Sequence, residues 1–400
     1  MKTDRPPVLV LGGAITALGV IRSLGRRGIP AFVLGAHEPC VEWSRWYRRY
    51  PGPTDLRPSA EGLDRLLQDH REPTLVLMPA EDPWVQALAS HGPDPAGHFV
   101  SSTPPAEAIA SLVDKARLAQ ALDRYGVEHP RTFAATSAEE AVAAAAGLGD
   151  AFLKPRDSFA FRSRFGVKAF RVAGPDEALA RARAVFAAGL EFVVQEYVPG
   201  PATGHHFVDG FVDREGTVRA LFARQRLRMY PVDFGDSSAL VSIELDRVAS
   251  AIEPLKRLLA GLRYRGVFSA EFKLDPRDGV FRLIEINPRP WLFVEFAERA
   301  GVNVCEMAYR DALGLPVATT TTYRVGLRCV HPQQDRQAGR ELVRRGEISR
   351  AALWRSRTGA HEPVLSGDDP VPWVAYVLGR AAGWLGRKVQ GVLAHSTRSA

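Results

Sequence analysis

AEFKLDPRDGVFRLIEINPRPW, residues 270–291, reads as two β-strands joined by a turn at DPRDG, residues 275–279. Strand side chains alternate between faces, so Glu285 and Asn287 share one face while Ile284 and Ile286 take the other. Pro288 cannot donate to a ladder, so pairing is expected to end there. A carboxylate and an amide oxygen converging at a strand end are hard donors that suit Mg²⁺. The alternative is a polar strand edge beside a buried face.

Working outward, HHFVDGFVDREGTVRALFARQRLRMY (205–230) reads as two more strands turning at DREG. A helix is expected around 247–262, between this pair and the hairpin. Upstream come the short strand AFLKP with Lys154, a basic loop, the strand VKAFRV, a helix, and the strand EFVVQEYVPG (191–200) with Glu196. A helix containing Lys115 follows the Pro- and Ser-rich boundary SSTPPAEAIAS (101–111). The N-terminal segment opens with VLVLGG (8–13), an apolar run of buried parallel-strand type, then a helix and IPAFVLG. This β-α-β start continues through TLVLMPAED and predicts an open α/β domain. GGAITALG lacks the GxGxxG spacing of a dinucleotide fingerprint. It is read as an anion cradle of backbone amides or as a plain strand-to-helix turn.

The 400 residues hold 46% hydrophobic and 24% charged side chains, the composition of an ordinary globular protein with two or three domains. Lys and Arg number 52 against 45 Asp and Glu, a net charge of +7. With no long basic run or RNP-like motif, nucleic acid is not an expected partner, while small anions suit this charge. Cys40, Cys305 and Cys329 are far apart, as in reduced cytosolic proteins. MKTDRPP offers no signal peptide and no apolar run reaches membrane-spanning length, so a cytoplasmic protein is expected.

Lys115, Lys154, Glu196 and the Glu271/Glu285–Asn287 hairpin occur in an order that resembles the ATP-grasp superfamily. The resemblance is to its carboxylate–amine ligase branch, which includes carbamoyl-phosphate-synthase-like and D-aspartate-ligase-like proteins. It rests on DKARLAQALDRYGVEHPRT, AFLKPRDS, VVQEYVPG and the hairpin, and covers roughly residues 105–315. It implies an α/β (α+β) fold: an N-terminal α/β domain over 1–104 and a two-lobed ATP-grasp domain over 105–318 with a mobile lid near 133–197. A mostly helical extension over 319–400 would follow. The resemblance implies ATP with two Mg²⁺ (or Mn²⁺) ions as cofactors. Lys115 and Lys154 would contact the phosphates, and Glu196 with the backbone of Tyr197 and Val198 would hold adenine. Glu271, Glu285 and Asn287 would hold the metal, and Arg289 would stabilise charge on the transferred phosphate. The implied reaction joins a carboxylate to an amine through an acylphosphate, releasing ADP and phosphate. A carboxylase, a carboxylate kinase and a non-catalytic ATP-binding regulator are the alternatives. A homodimer is the default such a resemblance implies.

Two departures stand out. RDSFAFRSRFG holds one glycine where many relatives have a Gly-rich phosphate loop, and it offers Arg156, Arg162, Arg164 and then Lys168 as a basic lid, or a solvated loop. No carboxylate follows the adenine acid until Asp209, which leaves ribose contact to His206. Alternation places Arg224, Arg226 and Arg228 on one face, either for an anionic substrate or as a ladder paired with acids. Trp291 and Phe293 are read as acceptor-site wall or core. Last, residues 371–393 carry an amphipathic stripe of Val374, Val377, Leu378, Ala381, Leu385, Val389 and Val392, with Arg380 and Arg387 off it. Such a helix docks on its own protein or lies on the inner face of the membrane.

Overall fold

The computed structural model describes residues 5–35, 38–69, 74–94, 97–156 and 158–379. The N-terminal unit contains β1 (Val8–Leu11), α1 (Ile15–Gly25), β2 (Ala31–Leu34), α2 (Pro39–Glu42), α3 (Ala60–Asp69), β3 (Leu75–Pro79), α4 (Asp82–His91) and β4 (Phe99–Val100). Its strands pair in parallel in the order β2-β1-β3-β4, so the order reverses between β1 and β3. Every β1 residue is buried, as the unbroken VLVL run requires of a strand covered on both faces. Of the two readings of GGA, the structure favours the plain strand-to-helix turn. Gly13 N–H donates to Glu81 Oε1 at 3.2 Å, and a Cβ at Gly12 (φ +123°) would lie 2.8 Å from the same side chain.

Two helices, α5 (Ala106–Val113) and α6 (Lys115–Tyr125), lead into the second unit. Asp114 caps α6 by accepting from the Ala116 and Arg117 amides, and Gly126 in the left-handed region ends it. A small antiparallel sheet, order β5-β8-β6-β7, follows: β5 (Thr132–Ala135), β6 (Ala151–Pro155), β7 (Phe170–Val172) and β8 (Phe192–Glu196). Helices α7 (Ala138–Leu148), α8 (Ser158–Phe165) and α9 (Pro175–Ala187) accompany it around a core of its own, built on Leu153, Phe161, Val172 and Val194. The expected basic loop is therefore largely the helix α8, because Phe161 is buried in that core.

The remaining lobe is one antiparallel sheet, β13-β12-β9-β10-β11-β14. Its strands are β9 (His205–Val212), β10 (Val218–Tyr230), β11 (Asp236–Ile243), β12 (Gly266–Leu274), β13 (Phe281–Asn287) and β14 (Arg328–Val330). Helix α10 (Ala249–Gly261) packs with α5 and α6 under one face, on Val208, Ala270, Phe272, Leu283 and Ile286. Part of the opposite face shares a core with the N-terminal unit through α11 (Val294–Ala300) and α12 (Val304–Ala312). Trp291 and Phe293 belong to that core, at 4% and 5% exposure. The quoted hairpin carries one irregularity: Glu271 opposes Glu285 but Phe272 opposes Leu283, so Ile284 is an extra, bulged residue. The bulge puts Leu283 beside Ile286 in the core, where strict alternation assigned Ile284.

The C-terminal segment is more than a helical extension. It supplies β14 to the main sheet, then α13 (Pro332–Arg344) and α14 (Arg350–Arg357). Residues 361–370 bind α1 through Arg22, a fully buried side chain. The amphipathic stretch is helical over 371–379, and its remainder, 380–393, lies outside the described residues. No helix among the described residues is long and apolar enough to cross a membrane.

Candidate functional site

Alternation on β12 sends Ser269, Glu271 and Lys273 to the face opposite Ala270 and Phe272, which are core. Across the hairpin, Glu271 faces Glu285 and Ser269 faces Asn287. Three oxygen donors thus gather on one face at the end of the two strands. The amide nitrogen of Asn287 donates to Glu285 Oε1 at 3.3 Å, which leaves the amide oxygen for a ligand. Glu271 is deeper: His205 Nδ1 at 2.6 Å and Arg226 Nη2 at 2.9 Å both approach its Oε1, leaving Oε2 for another partner. Burial opposes ionisation of Glu271, but Arg226 and His205 outweigh it and hold the carboxyl well below the ordinary range. Burial, reinforced by Arg226, pushes His205 down to about 4, so at neutral pH its Nδ1–H is a neutral donor. Among the described residues no three His, Cys, Asp or Glu side chains form a metal cage. Two carboxylates and an amide fit an ion that keeps water or phosphate oxygens in its other positions, which is Mg²⁺ behaviour.

Lys154 reaches this group from the small sheet. On β6 it shares a face with Phe152, while Leu153 faces the core of the small sheet. Burial pushes its ammonium down to about 8; Glu285 and Glu271 raise it, and Lys115 and Lys273 lower it. Lys115, at the start of α6, therefore shares one field with Lys154 and both acids. Lys273 is a site residue the sequence reading missed. It is 6% exposed, its Nζ lies 5.2 Å from the Tyr197 ring centroid, and burial with Arg226 brings it also to about 8. Among the described residues neither lysine has a carboxylate at ion-pair distance, although Glu271 and Glu285 act on Lys154 from further off. The place of Lys273 two residues after Glu271 on one strand was the signal.

Several expected residues sit elsewhere. Glu196 lies across from Ala151, on the opposite face from Lys154, and its carboxylate is taken by Arg277 at 2.7 Å and by Arg131. Burial opposes but does not prevent a lowered carboxyl there, because both guanidiniums favour the charge. Gln195, opposite Phe152, is the residue on the Lys154 face. The Tyr197 amide is likewise spent, on Asp150 O at 3.0 Å, although the Tyr197 ring stays between Arg171 and Lys273. Val198 is buried. His206 turns from the cleft to Phe281, with Nδ1 on Gly204 O at 3.0 Å; its neighbour His205 is on the Glu271 face. Lys168, expected over the triphosphate, pairs with Asp236 at the start of β11.

The arginine face is a ladder paired with acids. Arg224 binds Asp209, Arg226 binds Glu271, and Arg228 binds Asp335 of α13, with each arginine side chain no more than 5% exposed. A bulge between Arg226 and Arg228 also breaks their alternation. None of the three is left open for a substrate, but Arg226 fixes the rotamer and charge of Glu271. Arg289 is held by Asp82, with Nε at 2.5 Å and Nη2 at 2.9 Å from its two oxygens. Asp82 begins α4 just past β3, so the N-terminal unit positions the guanidinium that follows Glu285 and Asn287. Burial lowers the Arg289 pKa, yet Asp82 and Glu285 raise it on balance.

No family model matches the chain. It is 22% identical over 260 residues to a D-aspartate ligase of Enterococcus faecium (strain Aus0004), covering 62% of this chain and 61% of that protein. Among solved structures it resembles the N5-carboxyaminoimidazole synthetase of Staphylococcus aureus, with TM-score 0.59, 14% identity and 80% of each chain covered. The biotin carboxylase domain of the Hydrogenobacter thermophilus 2-oxoglutarate carboxylase, solved with MgADP and bicarbonate, matches at TM-score 0.63 and 18% identity over 82% of this chain and 74% of that one. The Bacillus licheniformis L-amino acid ligase matches at TM-score 0.57 and 14% identity, over 78% and 75%. With its three sheets so arranged, and with these likenesses in sequence and structure, the chain has the ATP-grasp fold.

Proposed function

We propose that the protein is an ATP- and Mg²⁺-dependent, ADP-forming ligase that joins a carboxylate to an amine through an acylphosphate. The observation that carries this reading is Glu271 opposed to Glu285 beneath the ammoniums of Lys154 and Lys273. Glu271, Glu285 and Asn287 would hold the metal, which supplies charge neutralisation at the phosphates. Lys115, Lys154 and Lys273 would neutralise the nucleotide, and Gln195 with the backbone near Val198 would meet the adenine edge. Arg289, fixed by Asp82, would face the charge that develops as phosphate is transferred and then expelled. Positioning and charge carry this chemistry, with no covalent nucleophile on the protein.

The test is incubation with Mg-ATP and a library of amino acids and small acids, following ADP and new amide masses. Stoichiometric ADP and phosphate with an amide product is the expected result. Pyrophosphate with AMP, or ADP formed without any amide, would sink the ligase reading.

A pH dependence also follows. Burial holds Lys154 and Lys273 near 8 against the pull of the neighbouring carboxylates; a bound triphosphate would add negative charge and raise both. Binding is then coupled to proton uptake, so Mg-ATP affinity holds below pH 8 and falls above it, by about tenfold per lysine per pH unit. Titration calorimetry in buffers of different ionisation enthalpy reads the uptake. Lys273→Met is expected to weaken binding and flatten the pH profile; an unchanged profile would remove Lys273 from the nucleotide site.

A further inference from the structure

The helix over residues 371–379 is docked the wrong way round for a helix that only packs on its own protein. Pro372 and Ala375 are buried, Tyr376 OH donates to Gln333 Oε1 at 3.2 Å, and Gly379 lies against Pro39. The large apolar residues point outward instead: Val371, Trp373, Val374, Val377 and Leu378 are 38–59% exposed. At 100° per residue these five fall on one face, opposite the docked one. A contiguous apolar face of this kind, held rigid by its other side, marks an interaction surface.

Charge decides what covers it. From Pro370 to Ala400 the sequence contains no Asp or Glu, while Arg380, Arg387, Lys388 and Arg398 are basic and Trp373 and Trp384 are aromatic. Aliphatic side chains with tryptophan beside basic residues suit the boundary between acyl chains and anionic headgroups. We infer that residues 371–379 dock the protein on an anionic lipid surface, with the basic residues that follow contributing the electrostatic attraction.

The experiment is flotation of the full-length protein with vesicles of phosphatidylcholine alone or mixed with phosphatidylglycerol. Binding is expected only to the anionic vesicles, weakening as salt is raised. Val377→Asp with Leu378→Asp is expected to reduce the bound fraction about tenfold, leaving ADP formation and the thermal midpoint unchanged. Arg387→Gln with Lys388→Gln, outside the docked segment, is expected to reduce binding to anionic vesicles at low salt. Three results would overturn the inference: no flotation of the wild type, equal flotation of the aspartate variant, or an oligomer in sedimentation equilibrium that the aspartate variant dissociates. The last would identify the face as a contact between copies.

Discussion

Replacing Glu285 with Gln is expected to lower the rate of ADP formation by about 10³-fold while leaving the fold intact, the scale on which removal of one pre-placed charge acts on a transition state. Glu285 is the better of the two acids for this test because its neighbours ask little of it. It is exposed, and among the described residues its side chain accepts one hydrogen bond, from the amide of Asn287. The glutamine keeps the shape and one oxygen but gives up the charge a divalent ion requires. A matching loss in Mg²⁺ affinity, of at least about 100-fold, is expected in a metal titration, since even outer partners of metal ligands cost 10–100-fold. Glu271→Gln would be less clean. It would leave Arg226, 5% exposed, facing a neutral amide in a buried site, so folding and metal binding would fall together. Normal turnover by the Glu285→Gln protein would show that the hairpin end is a polar strand edge and no metal anchor.

What the sequence made legible follows from how local each signal is. The hairpin at DPRDG, the β9–β10 pair and the N-terminal β-α-β run were readable because apolar periodicity and turn residues lie within a few positions of each other. Strand β11 was not, since Ser237, Ser238 and Ser242 are among its buried residues and hide the alternation; Ser242 bonds carbonyls of the segment before β14. The β12–β13 hairpin and Lys154 were placed together by order alone. The partners that decide the arginines and Glu196 lie far away in sequence: Asp335 for Arg228, Arg277 for Glu196, Asp82 for Arg289. A three-arginine face looks the same in one dimension whether it awaits an anion or already holds three acids. His205 and His206 show the opposite limit, for one register position separates the cleft from the core.

The same long-range pairing makes the C-terminal segment integral to the N-terminal unit, and Arg22→Met is expected to expose this. Arg22 is fully buried and donates to Asp369 Oδ2 at 3.0 Å, Glu295 Oε2 at 3.2 Å, and the carbonyls of Pro363, Val364 and Asp369. One side chain thus ties α1 to α11 and to the segment that leads into the 371–379 helix. Methionine fills much of the volume but returns none of the five hydrogen bonds. Glu295 keeps Arg26 as a partner, and among the described residues Asp369 keeps only Ser44 Oγ and the Arg45 amide. Breaking one partner of a buried pair costs about 3–5 kcal/mol, because the charge left behind has lost its compensation. A fall of about 5 °C or more in the thermal midpoint is the expected result, together with earlier proteolysis after residue 360 in limited digestion. Arg22→Met with Asp369→Asn should recover part of the loss, since the double change removes both charges of the pair. If the single variant melted like the wild type, the buried guanidinium would be held by the surrounding core and would contribute nothing to holding the C-terminal segment.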